Sequence, residues 1–545
     1  MRIKRSLLAL IVASIYSLGC FGSKISLETF QYQVPVLINK VNNPVLKMKL
    51  CSDGSNKFNV SEIAINLKGT TDLSDIKTVK IYCTAKGEEF IAGEQYDKEQ
   101  KPSLNMKFTG NLILSDTCNF WVAIELKNNA NLHHKIEVSC LYIKAGKRQL
   151  KPVSPNKEKL LRIALALKQH MDDNVNTYRI PGITTTKKGT LLAIYDVRRE
   201  SSRDLQGNID IGLSRSIDGG RSWEPMKIVL DMGKWGGLPE KYNGVSDACI
   251  LVDEKNNNVF VAGLWMHGVL DENGKWIEGL NENSTVWNHQ WKEKGSQPGW
   301  EVKESAQFII SKSSDDGITW SKPENLTSEI KKKEWWLLAP APGHGITLHN
   351  GVILFPTQGR DENGKTFSNI TWSDNGGKNW ITSEPAFHNS TENMAVELSD
   401  GSIMLNMRYN GNKNNFSDSN GRVISITKDL GKTWKEHSTS KAALIEPVCM
   451  ASIHKHNYSV NGVQKSLLLF FNPNSKKMRD NMTLKVSFDD GKTWPKEYWL
   501  LLDEKKSRGY SCITSINEKE IGILYESSQA DLVFEKVSLS ELLHQ

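Results

Sequence analysis

One short pattern, Ser-x-Asp-x-Gly-x-(Ser/Thr)-Trp, returns through the later two thirds of the chain and restricts its fold more than any other feature. It reads Ser216-Ile217-Asp218-Gly219-Gly220-Arg221-Ser222-Trp223, then Ser313-Ser314-Asp315-Asp316-Gly317-Ile318-Thr319-Trp320, then Ser487-Phe488-Asp489-Asp490-Gly491-Lys492-Thr493-Trp494. Two looser copies are Ser373-Asp374-Asn375-Gly376-Gly377-Lys378-Asn379-Trp380 and Thr427-Lys428-Asp429-Leu430-Gly431-Lys432-Thr433-Trp434. Each is the chemistry of a hairpin turn: an Asp or Asn side chain accepts from nearby backbone N–H groups, Gly takes a positive φ, and Trp packs beneath. From tryptophan to tryptophan the last four copies lie 60, 54 and 60 residues apart. A near-constant period of that length belongs to propeller blades, and residues 165–545 have room for six. The first interval, 97 residues, is longer and holds a Trp-rich insertion from Trp276 to Trp300. The repeated aspartates are read as turn-formers, not as metal ligands or catalysts.

Ahead of the repeats, residues 21–155 show short runs rich in β-branched and aromatic residues, such as 78–83, 119–126 and 136–143. Turns at Gly69, Gly87, Gly110 and Asn128-Asn129 punctuate them, which predicts a β-sandwich. Residues 151–168, with Pro152, Pro155 and several lysines, read as the connector. The expected fold class is therefore all-β: a six-bladed β-propeller over 165–545 preceded by a β-sandwich that binds carbohydrate or acts as a spacer.

Residues 1–20 carry Arg2, Lys4 and Arg5 and then an apolar run over 7–18, too short for the roughly 20 residues of a membrane span, so they read as a signal peptide. Leu18-Gly19-Cys20 resembles the lipobox of bacterial lipoproteins, with Ser17 where that pattern usually has Leu. Export to the periplasm, the cell surface or the medium follows, with membrane contact only through a lipid at Cys20. Removing the three leader cations lowers the formal net charge from +7 to +4, spread among interleaved acids, which argues against a nucleic-acid partner. The eight cysteines show no CxxC or Cys/His ligand spacing, so zinc is not expected, and the sequence leaves open whether the four between 51 and 140 pair.

Thr177-Tyr178-Arg179-Ile180-Pro181 resembles the Phe/Tyr-Arg-Ile-Pro motif that opens the catalytic propeller of sialidases, in which the downstream repeats are called Asp boxes. The resemblance covers about residues 165–540. It implies an exo-α-sialidase that hydrolyses terminal sialic acid (N-acetylneuraminic acid) from glycoproteins, glycolipids and oligosaccharides, with retention, through a covalent tyrosyl intermediate and without cofactor or metal. Sialic acid carries a carboxylate on its anomeric carbon, and arginine, planar and always charged, binds both of its oxygens better than lysine. By resemblance Arg179, Arg408 and Arg479 form that triad. The same carboxylate repels an anionic attacker, and sialidases with a Tyr nucleophile are a known exception to the two-carboxylate rule. Tyr510 in Arg508-Gly509-Tyr510 matches the nucleophile, and Glu392 matches the base that must take the proton of a phenol of pKa about 10, with Glu397 as the competing choice.

Asp204 matches the acid/base of a mobile loop. Arg198 matches an arginine that touches the sugar, its neighbour Arg199 being the alternative, and Asp210 is read as structural. Glu526 is expected to hold Arg179, while Asp247 and Gln358 fall where relatives meet sugar hydroxyls. Pro342-Gly343-His344-Gly345 also resembles a family loop; the scattered histidines give little support to a metal or a Ser-His-Asp triad. A monomer acting on sialylated glycans is expected. The rivals are a trans-sialidase, for which Trp265 or the Trp-rich insertion would be the acceptor platform, and an inactive sialic acid-binding lectin.

Overall fold

The turn patterns above act through strand pairing, and the computed structural model describes residues 25–544 apart from 53–56, 85–86, 154–158, 206, 236–239, 269–296 and 303. The leader with Cys20 and most of the Trp-rich insertion lie outside the described residues. No helix among the described residues is long and apolar enough to cross a membrane.

The chain divides into two compact units. The first holds two four-stranded sheets, one ordered Ile25–Phe30, Asn43–Ser52, Cys118–Leu126, Ile76–Thr84, the other Arg148–Leu150, Ser139–Ala145, Phe58–Asn66, Asn105–Leu114. Along Asn105–Leu114 burial alternates, Met106 and Phe108 facing in and Asn105 and Lys107 out, the period-two signature of a half-buried strand. Trp121 is buried, its indole N–H donating to Thr84 Oγ1 at 3.2 Å, so it serves the core and is not a sugar platform. Cys51, Cys83, Cys118 and Cys140 are all free thiols.

The second unit is the propeller, and its boundaries depart from a division at residue 155. It includes residues 32–43 and 126–136 as well as 160–545. The reason is strand pairing: Val36–Ile38 lies parallel to Ile163–Leu165, and Lys135–Ile136 runs antiparallel to Leu161–Arg162. Six sheets form the blades. Blade 1 is Thr177–Thr185, Leu191–Arg198, Ile209–Ser216 and Lys227–Leu230; blade 2 is Asn243–Asp253, Asn258–His267, Gln307–Ser313 and Glu324–Asn325. Blade 3 is built on Ile353–Arg360 and Thr366–Ser373; blade 4 on Ser390–Glu397, Ile403–Tyr409, Val423–Thr427 and Lys435–Glu436. Blade 5 is Ser452–Val460, Val463–Pro473, Met482–Ser487 and Leu500–Asp503. Blade 6 takes Ser511–Asn517, Glu520–Tyr525 and Leu532–Ser538 from the end of the chain and its outer strand, Leu161–Lys168, from the beginning. Arg162, buried, clasps this closure by donating to Glu535 and Glu541.

Each Asp box follows the third strand of a blade, whose last residue is the box's own Ser or Thr. In the second copy Ser313 Oγ donates to Asp315, which accepts from the Thr319 N–H at 2.9 Å, and Trp320 Nε1 donates to the Gly317 carbonyl at 3.1 Å. These bonds hold the Asp315 and Asp429 carboxyls down at about 2 through the hydroxyls and N–H groups of Thr319 and Thr433. Strands alternate in direction, so the boxes sit at the end of the blades opposite to where first strands begin and second strands finish. That other end receives the motif residues.

Candidate active site

Every predicted site residue comes from this second end. Arg179 lies near the start of a first strand, and Arg198, Gln358 and Arg408 lie at or near the ends of second strands. Tyr510 immediately precedes Ser511–Asn517 and Glu526 immediately follows Glu520–Tyr525, so one hairpin of blade 6 carries both; Arg479 sits on the turn after Val463–Pro473. In three blades the first strand slips register beside the site residue, between Arg179 and Gly182, between Ser246 and Cys249, and between Ser390 and Asn393. Such bulges re-aim a side chain that regular pleating would point elsewhere. Ile180 at φ 57° and Asp247 at φ 54° sit in two of them in the left-handed region, strain of the kind that collects at functional sites.

At the centre, the buried phenol of Tyr510 donates to Glu392. Arg408 Nη1 donates to the other Glu392 oxygen at 2.6 Å and to Tyr510 Oη at 3.1 Å. Arg179 and Arg479 present their guanidiniums to the tyrosine ring at 5.4 and 5.5 Å from its centroid. Burial, then the Glu392 charge, push the phenol well above its ordinary pKa, while Arg408 and Arg479 pull the other way. The resting site therefore holds a neutral tyrosine beside a base, ringed by three cations that stabilise a phenolate only once the proton moves. The Arg408 side chain is 22% exposed; burial opposes its charge, but Glu392 and then Tyr510 outweigh it and raise its pKa, so it stays a cation.

Supporting bonds fix the triad. Glu526, fully buried, accepts from Arg179 Nε and from the backbone N–H groups of Ile180 at 3.1 Å and Tyr510 at 3.0 Å. One carboxylate thus ties the first arginine to the tyrosine's own backbone; burial opposes its charge, but Arg179 wins and its pKa is lowered. Arg479 Nη1 donates to the Arg508 carbonyl at 2.9 Å.

Arg198, wholly buried, donates to Asp204 at 2.5 Å and to Asp196 at 2.9 Å. Arg199 instead pairs with Asp210 at 2.6 Å, so of the two neighbours Arg198 is joined to the Asp204 loop, and Asp210 has a structural partner. The Asp204 side chain is 62% exposed, open to solvent. Asp247 is buried and its carboxyl is raised well above the usual range by burial and by Asp204, Asp196 and Glu392. Gln358 Nε2 donates to the Pro340 carbonyl at 3.4 Å. Glu397 bonds His349 at 2.7 Å and stands apart from the Tyr510 cluster.

Two contributors escaped the sequence reading. Asp196, fully buried, takes Arg198 and accepts from Ser246 Oγ at 2.6 Å, and burial lifts its carboxyl to about 6. Its signal was present: in Tyr195-Asp196-Val197-Arg198 the acid stands two residues from the arginine, on the same face of a strand. Ser246 offered none. Trp265 is 2% exposed and packs edge-on against Trp235 with centroids 5.1 Å apart, so it cannot be an acceptor platform. Among the described residues no group of three or more His, Cys, Asp or Glu stands close enough together to hold a metal ion.

Comparison with known proteins accounts for both units. Residues 189–524 match the BNR repeat-like domain, and residues 24–149 match the N-terminal domain of BNR-repeat neuraminidase. A sialidase of Bacteroides fragilis is 36% identical over 565 aligned residues, spanning 97% of this chain and 99% of the relative. The solved Hadza microbial sialidase Hz136 is 32% identical, with a TM-score of 0.83 over 94% of this chain and 99% of that one. Trypanosoma rangeli sialidase, solved in complex with 2,3-difluorosialic acid, shares the fold at 20% identity and a TM-score of 0.52, over 70% of this chain and 59% of its own. The chain belongs to the BNR-repeat sialidase, or neuraminidase, family of glycoside hydrolases.

Proposed function

We propose that the protein is an exo-α-sialidase hydrolysing terminal N-acetylneuraminic acid from glycoproteins, glycolipids and oligosaccharides with retention of configuration. The observation that carries this reading is the Tyr510 hydroxyl donating to Glu392 while Arg408 reaches both and Arg179 and Arg479 flank the ring. Three guanidiniums grip the substrate carboxylate. Glu392 takes the phenol proton as Tyr510 Oη attacks the anomeric carbon, and Asp204, in its protonated form, gives its proton to the departing glycosidic oxygen. In the second step the Asp204 carboxylate takes a proton from water, whose oxygen attacks the same carbon; the bond to Tyr510 breaks and Glu392 returns the proton. Asp196, by holding Arg198, positions Asp204.

Hydrolysis is the reaction proposed here: the buried Trp265 offers no platform for an acceptor sugar, while the other candidate platform, the Trp-rich insertion, lies mostly outside the described residues. The presence of Tyr510, Glu392 and Asp204 in the chain supports an active enzyme over an inactive lectin. The basic and apolar leader supports export, with a lipid at Cys20 as the means of anchoring, and a monomer suffices because one chain supplies the whole site. Mass spectrometry of enzyme treated with a fluorinated sialic acid inactivator and digested tests the reading: the adduct should sit on the peptide containing Tyr510. An adduct elsewhere, or proton NMR showing the inverted sugar as first product from sialyl-lactose, overturns it.

A further inference from the structure

Arg508, two residues before Tyr510, has no part in the chemistry above. Its backbone carbonyl accepts from Arg479, but among the described residues its guanidinium has no hydrogen-bond partner, and Nη1 is buried. It lies within the field of two like charges, Arg179 and Arg198, and burial with those charges lowers its pKa; Asp531 and Glu526 compensate only in part. Both acids are already engaged, Asp531 by the Tyr178 N–H at 3.0 Å and Glu526 by Arg179. An unbonded donor on a half-buried cation is costly unless something else fills it.

The surroundings point the same way. The turn holding Arg479 and the segment holding Arg508 are tied by the Ser507 N–H donating to the Arg479 carbonyl at 2.8 Å. Together they carry Lys476, Lys477, Arg479, Lys505, Lys506 and Arg508 against Asp480, Asp503 and Glu504. Asp503 is spent on Ser527 and Ser528, which donate to it at 2.7 and 2.8 Å. Lys476 is paired with Asp418 at 3.3 Å and Lys505 lies over the Tyr32 ring, so of these residues it is Arg508 that stands unbonded within reach of the charges of Arg179 and Arg198.

We propose that Arg508 is a specificity-determining residue that receives a second anionic group of the substrate, an oxyacid lying near the scissile sialyl linkage. A planar, always charged fork suits a carboxylate or a sulfate equally. Two sources present that chemistry: the carboxylate of a second sialic acid in a sialyl-sialyl linkage, or a sulfate ester on the penultimate sugar. This inference rests on the proposed sialidase function and deepens it by naming the substrates the site prefers.

The test compares kcat/KM of the wild type, Arg508→Ala and Arg508→Lys on sialyl-lactose, on a sialyl-sialyl disaccharide and on a sulfated sialyl oligosaccharide. Arg508→Ala should lose about tenfold or more on at least one charged substrate relative to sialyl-lactose, the value of one charge-assisted pair, with Arg508→Lys between. The substrate that suffers identifies the source. The excess loss should shrink as salt is raised, because Arg508 is only half-buried and so is partly screened. A loss of the same factor on all three substrates, or none on any, overturns the proposal. A wild type inactive on sialyl-lactose sinks the sialidase reading as well, whereas an active wild type with a flat ratio sinks only this one.

Discussion

Replacing Asp204 by alanine separates folding from chemistry more cleanly than any other change at the site. The side chain is 62% exposed and makes one ion pair, with Arg198. Such a pair is worth ~0–1 kcal/mol, and Arg198 keeps its bonds to Asp196 and to the Ser202 carbonyl, so the propeller should melt within a few degrees of the wild type. Catalysis is another matter. A positioned general acid contributes roughly 10²–10⁴-fold, or about 3–5 kcal/mol, where the leaving oxygen is a sugar hydroxyl that cannot depart as an anion. An aryl sialoside with an activated phenol needs no such proton, so the first step survives, and azide, which needs no deprotonation, should restore the second. Measured as kcat/KM, the ratio of aryl sialoside to sialyl-lactose turnover should rise about a hundredfold or more in the variant. Equal loss on both substrates, in protein of unchanged melting temperature, would refute the assignment of Asp204 as the proton donor.

Further outcomes follow from the other contacts. Arg179→Lys keeps a charge but loses the fork that meets both Glu526 and a carboxylate, so kcat/KM on sialyl-lactose should fall by about a hundredfold or more in folded protein; near-normal turnover contradicts the triad. Asp489→Ala, which strips the acceptor from the Thr493 N–H and hydroxyl far from the site, should lower Tm while leaving the kcat of folded enzyme within about twofold. The box carboxyls of Asp315 and Asp429 titrate near 2, below the ordinary value of about 3.9, so the stability they add is complete above about pH 4 and is lost as pH falls toward 2. Since Asn375 already serves in one box, Asp315→Asn with Asp429→Asn should keep the turns and flatten that acid limb of Tm against pH; an unchanged limb assigns it to other groups. Glu535→Ala removes one of the two carboxylates that hold buried Arg162, leaving it Glu541 and the Lys536 carbonyl, and should cost about 1–3 kcal/mol in urea unfolding; no measurable loss would mean the clasp is not what holds the blade.

Much of this was legible because some signals are local. An Asp box closes its own turn within eight residues, so five copies and their period announce blades without any knowledge of what packs on what. The sixth blade has no box, since its third strand ends at Ser538 and its fourth comes from the other end of the chain. Arg179, Arg408, Tyr510 and Glu392 were found by resemblance, and the structure brings them together. The choice between Arg198 and Arg199 lay beyond the sequence, because adjacent strand residues face opposite ways and a bulge nearby can exchange them. Residues 32–43 and 126–136 look no different from the sandwich around them; they belong to the propeller only through pairing with strands far along the chain.

The mixed origin of the sixth blade sets a timetable for synthesis. Arg162 and Glu535, which meet in the closed ring, are 373 positions apart. At roughly 5–20 residues per second a ribosome takes about 20–75 s to make the second partner after the first. Throughout that interval a growing chain exposes the flanks of unfinished blades, and its last sheet lacks an inner wall. The late strand Leu532–Ser538 is thus decisive for Tyr510, two strands away: losing it leaves the Tyr510–Glu526 hairpin as the open edge of its sheet.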